Sequence, residues 1–257
     1  MNGQDVSLTP EELENFNMQR DIDEVWLSAE AKSPMPYVIQ QLKLRFLLFR
    51  NYTYIVVDTS SRQAAIVDPA WEYETIASAI DELKVNLTTI LLTHSHHDHV
   101  NSVKPLVKRY PVKVYMSRRE IDYYGFRCER LNALRDQEVL SLGQTKISCL
   151  LTPGHTQGGV CYLLSDALFT GDTVFSEGCG ICNAPGGDPE KMYESFQMIK
   201  RTVDPDVRIY PAHSFGKEPG QTMRSVVKNN IYFQIDRKEH FISWRMRSSF
   251  SGTFNFK

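Results

Sequence analysis

Thr93-His94-Ser95-His96-His97-Asp98-His99 is the stretch on which the reading of this chain turns. Within it, His94, His96, Asp98 and His99 form the pattern His-x-His-x-Asp-His. So many ligand-type side chains in so short a run cannot all converge on one tetrahedral ion without severe crowding. They can divide between two ions, with His94 and His96 on one and Asp98 and His99 on the other. The plainer reading is a surface histidine tract. Against it, the apolar run Ile90-Leu91-Leu92 leads straight into the cluster, so the ligands lie where a buried strand ends and not in a low-complexity tail.

Three more polar residues follow apolar runs in the same way. His155 closes Leu150-Leu151-Thr152-Pro153-Gly154, Asp172 closes Leu168-Phe169-Thr170-Gly171, and His213 closes Ile209-Tyr210-Pro211-Ala212. Each is reached through a small residue, as if the backbone must pass close to something. One such histidine would be read as structural. Repetition of the same placement beside a metal-type cluster favours a shared site.

Periodicity supplies the frame. Strands are expected over Tyr37–Leu44, Phe46–Phe49, Thr53–Val57 and Ala64–Val67, with Asp58 to Arg62 as a hairpin turn. A helix at about 72–84 precedes the strand Thr88–Leu92, and a second helix follows the histidines. Further strands are expected at Val112–Met116, Val139–Leu142, Ile147–Leu151, Val160–Leu164, Ala167–Phe169 and Arg208–Tyr210. Asp188-Pro189-Glu190 opens a helix as N-cap, first-turn proline and first-turn acid, with Met192, Phe196, Ile199 and Val203 on one face. Thr9-Pro10-Glu11-Glu12 is a plausible earlier helix start, and Gly220 to about Arg247 reads as largely helical. This order predicts an α/β fold, an αββα sandwich of two facing mixed sheets with outer helices. A doubly wound nucleotide-binding layer is disfavoured, since Gly-x-Gly-x-x-Gly after a strand is absent. Residues 1–35 read as an extension, 36–216 as the catalytic unit, and 217–257 as a helical segment and tail packed on it.

Composition narrows the function. The net charge of −2 argues against nucleic acid or an anionic membrane as partner. The apolar runs fall far short of the roughly 20 residues needed to cross a bilayer. The polar, acidic N-terminus carries no apolar signal region, so a cytoplasmic location is expected. The five cysteines are scattered and odd in number, and so read as reduced thiols. Cys179-x-x-Cys182 lacks a second pair or a thioredoxin-like context, and a turn beside the site explains it better than redox chemistry.

Taken in order, Thr93-His94-x-His96-x-Asp98-His99, Gly154-His155-Thr156, Thr170-Gly171-Asp172-Thr173 and His213 resemble the successive motifs of the metallo-β-lactamase superfamily, over about residues 36–215. Gly171-Asp172-Thr173-Val174-Phe175 followed by Gly178-Cys179-Gly180 looks most like its glyoxalase II branch, whose members hydrolyse hydroxyacyl-glutathione thioesters. Gly180 to Asp188, with Arg237 to Phe241, is similar to the zinc-dependent hydrolases that accompany trans-acyltransferase polyketide synthases.

This resemblance implies two zinc ions per chain, with iron or manganese admissible. His94, His96 and His155 would hold one, Asp98, His99 and His213 the other, and Asp172 would bridge. His97 falls between ligand positions. Asp68 matches an aspartate that hydrogen-bonds a ligand histidine, though it would serve equally as a helix N-cap. Water shared by two cations drops in pKa from about 15.7 toward neutrality, giving a metal-bound hydroxide that attacks the thioester carbonyl. Asp98 would orient it and shuttle its proton. The leaving thiol, with a pKa near ~8.5, needs no strong acid.

Two departures bear on the substrate. Ile181 stands where the branch has a polar contact for glutathione, and Ser214-Phe215-Gly216 lacks the usual tyrosine. Both point away from glutathione, toward a small-molecule or carrier-protein-bound thioester, with an acyl carrier protein as possible partner. The basic residues Lys217, Arg224, Lys228, Arg237 and Lys238 are then candidates to meet a phosphate or an acidic carrier, or else form a solvated helix face. The rival readings are a mononuclear iron persulfide dioxygenase and a lactonase. The interval from Asp172 to His213 is too short for the cap domain of a nuclease.

Overall fold

Side chains alternate along β1 (Tyr37–Phe46) and β2 (Phe49–Asp58), which pair antiparallel from Tyr37 with Asp58 to Phe46 with Phe49. The separate strand expected at Phe46–Phe49 is therefore the meeting point of two long ones. Its unbroken apolar run, Phe46-Leu47-Leu48-Phe49, holds no residue that marks a strand end. The structure is a computed structural model and describes residues 35–46 and 49–247. The proposed Thr9-Pro10 helix start, nearly all of the N-terminal extension and the tail after 247 lie outside the described residues.

From β2 the chain turns through Asp58 into β3 (Gln63–Val67), and α1 (Tyr73–Glu82) then leads to β4 (Asn86–Leu91). Two short helices come next, α2 (His97–Val100), which carries the second half of the histidine cluster, and α3 (Val103–Arg109), and they lead to β5 (Lys113–Ser117). Neither α4 (Arg118–Tyr124) nor β6 (Leu131–Leu134) is foreseen by periodicity, since α4 buries only Glu120 and Ile121 and β6 only Leu134. The first sheet has the order β1-β2-β3-β4-β5-β6, antiparallel through β3 and parallel from β3 to β6.

The second sheet is β7 (Val139–Leu142), β8 (Thr145–Leu151), β9 (Val160–Leu163), β10 (Ala167–Gly171), β11 (Arg208–Pro211) and β12 (Gln221–Thr222), neighbours in that order. α5 (Pro189–Thr202) makes the crossover that lets β10 and β11 run parallel. The expected C-terminal helix begins as the short strand β12. It then breaks into α6 (Met223–Asn229), α7 (Ile231–Gln234) and α8 (Lys238–Arg245).

Three apolar layers explain this arrangement. Ile55, Val57, Ile66, Ile90 and Val114 face Ile76, Ile80, Leu106 and Val107 of the outer helices. The alternate residues Tyr54, Val56, Ala65, Val67 and Leu91 face Ile147, Val160, Tyr162 and Phe169 of the second sheet. Leu168 and Ile209 point outward to Met192, Phe196 and Ile199 of α5. The fold is thus the αββα sandwich expected. Each large apolar side chain fully buried in these layers contributes about 1.5–3 kcal/mol. α5 is anchored as its sequence predicts, with the Asp188 carboxylate accepting from the Glu190 and Lys191 amides. Among the described residues no helix is long and apolar enough to cross a membrane.

Candidate metal centre

The loops after β4, β8, β10 and β11 open at one edge of the sandwich, and they bring all seven sequence-predicted residues together. His155 Nε2 lies 2.9 Å from His96 Nδ1, and His94 Nε2 lies 3.1 Å from the same atom. These three form one possible ligand group, and Asp98, His99 and His213 form another. In the second group Asp98 Oδ2 is 3.3 Å from His213 Nε2 and 3.6 Å from His99 Nε2. Asp172 faces both. Its Oδ2 is 3.4 Å from His155 Nε2, while Oδ1 is 3.4 Å from His99 Nε2 and 3.5 Å from His213 Nε2.

Close backbone approach sets this geometry. Gly171, at φ +50°, lies where a Cβ would fall 2.3 Å from Thr93 Oγ1, so only glycine lets β10 deliver Asp172 against the histidine loop. The His155 loop is pinned to α5, since Asp188 N donates to Gly154 O at 2.8 Å and Ser195 Oγ to Pro153 O at 2.7 Å.

The far nitrogen of most imidazoles is engaged, which fixes the ring and leaves the near nitrogen facing inward. His99 Nδ1 donates to Asp68 Oδ2 at 2.9 Å, His155 Nδ1 to the Ile181 carbonyl at 2.7 Å, and His213 Nδ1 to the Arg50 carbonyl at 2.9 Å. His94 Nδ1 is 3.1 Å from Thr93 Oγ1, which itself donates to Asp68 Oδ2 at 2.6 Å. Asp68 is therefore the orienting residue and not an N-cap; that position belongs to Glu72. Asn51 also escapes a sequence reading. Its amide donates to the Asp98 carbonyl at 2.8 Å and to Asp98 Oδ2 at 3.2 Å.

The donor set fits metal ions. His99 Nε2 and Asp172 Oδ1 are buried with no hydrogen-bond partner, although both point into the centre. Burial lowers the pKa of His94, of His96, and of His155 to about 4, leaving them as neutral imidazoles with lone pairs to offer. Burial would also lower His99, but Asp98, Asp172 and Asp68 outweigh it and raise this ring to about 10. His213 is likewise raised, because Asp172 and Asp98 overcome its burial. Asp98 would rise through burial, yet His99 and His213 hold it well below the carboxylate range. The second group is thus a pocket of negative charge that calls for a cation, and imidazole and carboxylate donors of this kind suit zinc, iron or manganese.

The centre opens into a cleft of about 1000 Å³ lined by Trp71, His97, Phe175, Ile181, Phe215, Trp244 and the arginines Arg50, Arg245 and Arg247, among others. His97 is exposed and stacks on Trp71 with ring centroids 5.8 Å apart, so it serves the wall and not the ligand set. Trp71 holds a positive φ of 51°, at a cost of about 1–3 kcal/mol. Asn101 Oδ1 accepts from its amide at 2.7 Å and Asn51 Oδ1 from its indole at 2.8 Å, which keeps it there. Cys179 and Cys182 are buried free thiols whose pKa values burial pushes up, to about 11 for Cys182, which suits the turn reading. None of Lys217, Arg224, Lys228, Arg237 and Lys238 lines this cleft. Arg224 pairs with Asp206, Arg237 with Glu239, and Lys238 with Glu190 and Glu194.

Fold and site together place the chain in the metallo-beta-lactamase superfamily, whose profile matches residues 47–213. It is 51% identical over 223 residues to the probable polyketide biosynthesis zinc-dependent hydrolase PksB of Bacillus subtilis (strain 168), covering 87% of this chain and 99% of that protein. It is 33% identical over 190 residues to the hydroxyacylglutathione hydrolase of Buchnera aphidicola subsp. Baizongia pistaciae (strain Bp), covering 72% of this chain and 71% of that one. The crystal structure of a metallo-beta-lactamase from Staphylococcus aureus subsp. aureus COL superposes with a TM-score of 0.76 at 21% identity, covering 85% of this chain and 69% of that chain, and shares the fold.

Proposed function

We propose that this chain is a zinc-dependent hydrolase of polyketide biosynthesis that cleaves an acyl thioester carried on a CoA-type or carrier-protein-bound pantetheine arm. The observation that carries the reading is Asp172, whose two oxygens face separate ligand groups at the floor of an arginine-bearing cleft. His94, His96 and His155 would hold one zinc ion and Asp98, His99 and His213 a second, with Asp172 between them. Ions held there supply Lewis acidity and lower the pKa of coordinated water toward neutrality.

The remaining chemistry belongs to side chains. Asp98, steadied by Asn51 and facing His213, is the carboxylate placed to orient the attacking water and take up its proton. A thiolate departs without a strong acid, since thiols ionise near ~8.5. Phe175, Phe215, Trp71 and Ile181 line the cleft with apolar surface suited to an acyl chain, and Arg50, Arg245 and Arg247 supply positive charge for a phosphate. The sequence relationship to a zinc-dependent hydrolase of polyketide biosynthesis supports the pathway, and that to a hydroxyacylglutathione hydrolase supports the thioester.

The test is a side-by-side comparison of kcat/KM for acyl-S-pantetheine, acyl-CoA, acyl-carrier-protein and S-lactoylglutathione, with elemental analysis of the same preparation. The expected result is about two transition-metal ions per chain and a preference for the pantetheine-based thioesters. A clear preference for the glutathione thioester overturns the assigned thiol. One tightly held iron with oxygen consumption overturns the hydrolase.

A further inference from the structure

We infer that Glu120 is the positioning residue for the His94/His96/His155 half of the centre, acting through the backbone of the two loops that carry those ligands. Glu120 is fully buried, belongs to none of the ligand groups and does not line the cleft. Its Oε1 accepts from the Ser95 amide and the Ser95 hydroxyl, both at 2.8 Å, and its Oε2 accepts from the Gly158 amide at 2.9 Å. Ser95 is the residue between His94 and His96. Gly158 lies three residues after His155, in the same loop between β8 and β9. One carboxylate therefore spans the two loops whose imidazoles meet 2.9 Å apart at His96 and His155.

The surroundings show how the carboxylate reaches this place. Ser117-Arg118-Arg119-Glu120 has the spacing of a capping box, and Ser117 Oγ accepts from the Glu120 amide at 3.1 Å. In such a box the glutamate would turn back to the Ser117 amide. Here it bonds the metal-bearing loops. Ser117 Oγ also donates to the Gly158 carbonyl, so helix α4 grips Gly158 on both sides. A Cβ at Gly158 would fall 2.1 Å from the Glu120 amide nitrogen, which is why the loop can dock there only as glycine.

The other half of the centre has different supports: Asp68 for His99, the Arg50 carbonyl for His213 and Asn51 for Asp98. Glu120 touches none of these. Its effect therefore falls on one ion of the pair. Only an ionised carboxylate satisfies donors at both oxygens, because a glutamine must turn its NH₂ toward the Ser95 pair or toward the Gly158 amide.

The inference rests on the two-ion reading above, and the experiment separates the two. Stepwise zinc affinities of wild type, Glu120→Gln and Ser95→Ala would be measured by chelator competition, in otherwise native protein and in a His213→Ala background that weakens the second group. Glu120→Gln is expected to weaken one ion by about 10–100-fold, the range for partners behind metal ligands, and to leave the other within about threefold. The loss should persist in the His213→Ala background. Ser95→Ala, which removes one bond and keeps the amide, should weaken the same ion by a few fold and guards against a Glu120→Gln protein that does not fold. Equal weakening of both ions, or wild-type affinity for both in a folded Glu120→Gln protein, overturns the role of Glu120. Should Glu120→Gln not fold, unchanged affinities in Ser95→Ala overturn it as well. Wild-type protein that binds fewer than two ions overturns the centre itself and this inference with it.

Discussion

Replacing Asp68 by asparagine exchanges one carboxylate oxygen for an NH₂ group, and neither oxygen can be spared. Oδ1 accepts from the Thr93 amide at 2.8 Å, while Oδ2 accepts from Thr93 Oγ1 at 2.6 Å and from His99 Nδ1 at 2.9 Å. If the new amide keeps its oxygen toward Thr93 N, its NH₂ faces His99 Nδ1. The neutral ring must then carry its proton on Nε2, the atom aimed at the centre, and ion binding must first undo that tautomer. With the amide flipped, the NH₂ meets the buried Thr93 N–H and leaves a donor unpaired, at about 1–3 kcal/mol. When ion binding forces the amide from the first arrangement into the second, that cost falls on binding and corresponds to roughly 5–150-fold in affinity, since about 1.4 kcal/mol is tenfold. The ion at Asp98, His99 and His213 should lose the most. The other should weaken less, through the relay from His94 to Thr93 Oγ1. Chelator competition on the metal-free protein measures both steps, and thermal unfolding of that same form shows whether the fold is intact. Wild-type affinity for both ions in Asp68→Asn would refute the claim that this carboxylate sets the His99 tautomer.

Asp172→Ala removes the carboxylate facing both groups and should cost both ions and nearly all hydrolysis, whereas His97→Ala should keep its metal content close to normal; elemental analysis of the two variants side by side checks this. Asp58 supplies a stability prediction. Its buried carboxylate accepts from Ser60, Ser61, Gln144 and Thr145, joining the β2–β3 turn to the β7–β8 turn. Burial would raise its pKa, but the bonds from Ser60, Ser61 and Thr145 outweigh this and hold it well below the carboxylate range. A folded-state pKa below the unfolded value of ~3.9 gives stability that is present above that pH and lost as the pH falls through the folded value. Asp58→Asn should therefore destabilise by about 2–4 kcal/mol near neutrality, from hydrogen bonds to a charged group worth ~1.5–3 kcal/mol each. In urea unfolding across pH the difference from wild type should shrink below about pH 4; a difference that stays constant into acid would show that the charge contributes nothing.

The fold was legible wherever burial imposes a period. β2, β3 and β4 carry apolar runs because they are covered on both faces, by helices on one side and the second sheet on the other. The Asp188-Pro189 start of α5 is local chemistry that no tertiary contact overrides. The division between β1 and β2 was not legible, because the run Phe46-Leu47-Leu48-Phe49 holds no residue that marks a strand end. α4 and β6 were missed for the opposite reason: each buries a single apolar side chain, Ile121 and Leu134, so neither carries an apolar pattern. The seven converging residues could be singled out because His94, His155, Asp172 and His213 follow soon after the apolar strands β4, β8, β10 and β11, and His96, Asp98 and His99 share the run that His94 opens.

What holds and selects around those ligands was far less visible, and distance along the chain is the physical cause. Asp68 meets His99 and Glu120 meets Ser95 across separations of 31 and 25 residues, through side chains that are equally at home as helix caps. The Ile181 carbonyl that orients His155 has no side-chain signature at all. Charge left two readings open. Of the five basic residues in the C-terminal segment, none lines the cleft, and Arg224 pairs with Asp206 and Lys238 with Glu190 and Glu194. The arginines that do line the cleft come from β2 and from the end of α8 and just beyond, about 200 positions apart. Residues at strand ends thus leave a mark in the sequence, while the walls of the cleft are assembled from remote segments. The metal motif alone therefore predicts the reaction better than the substrate. Arg50→Ala and Arg247→Ala carry that distinction into an assay. Each should raise KM for acyl-CoA while leaving the metal content and the turnover of a phosphate-free acyl-S-pantetheine analogue near wild type, as expected of groups that bind the arm and not the reacting carbonyl. An equal loss on both substrates would place these arginines in the support of the centre instead.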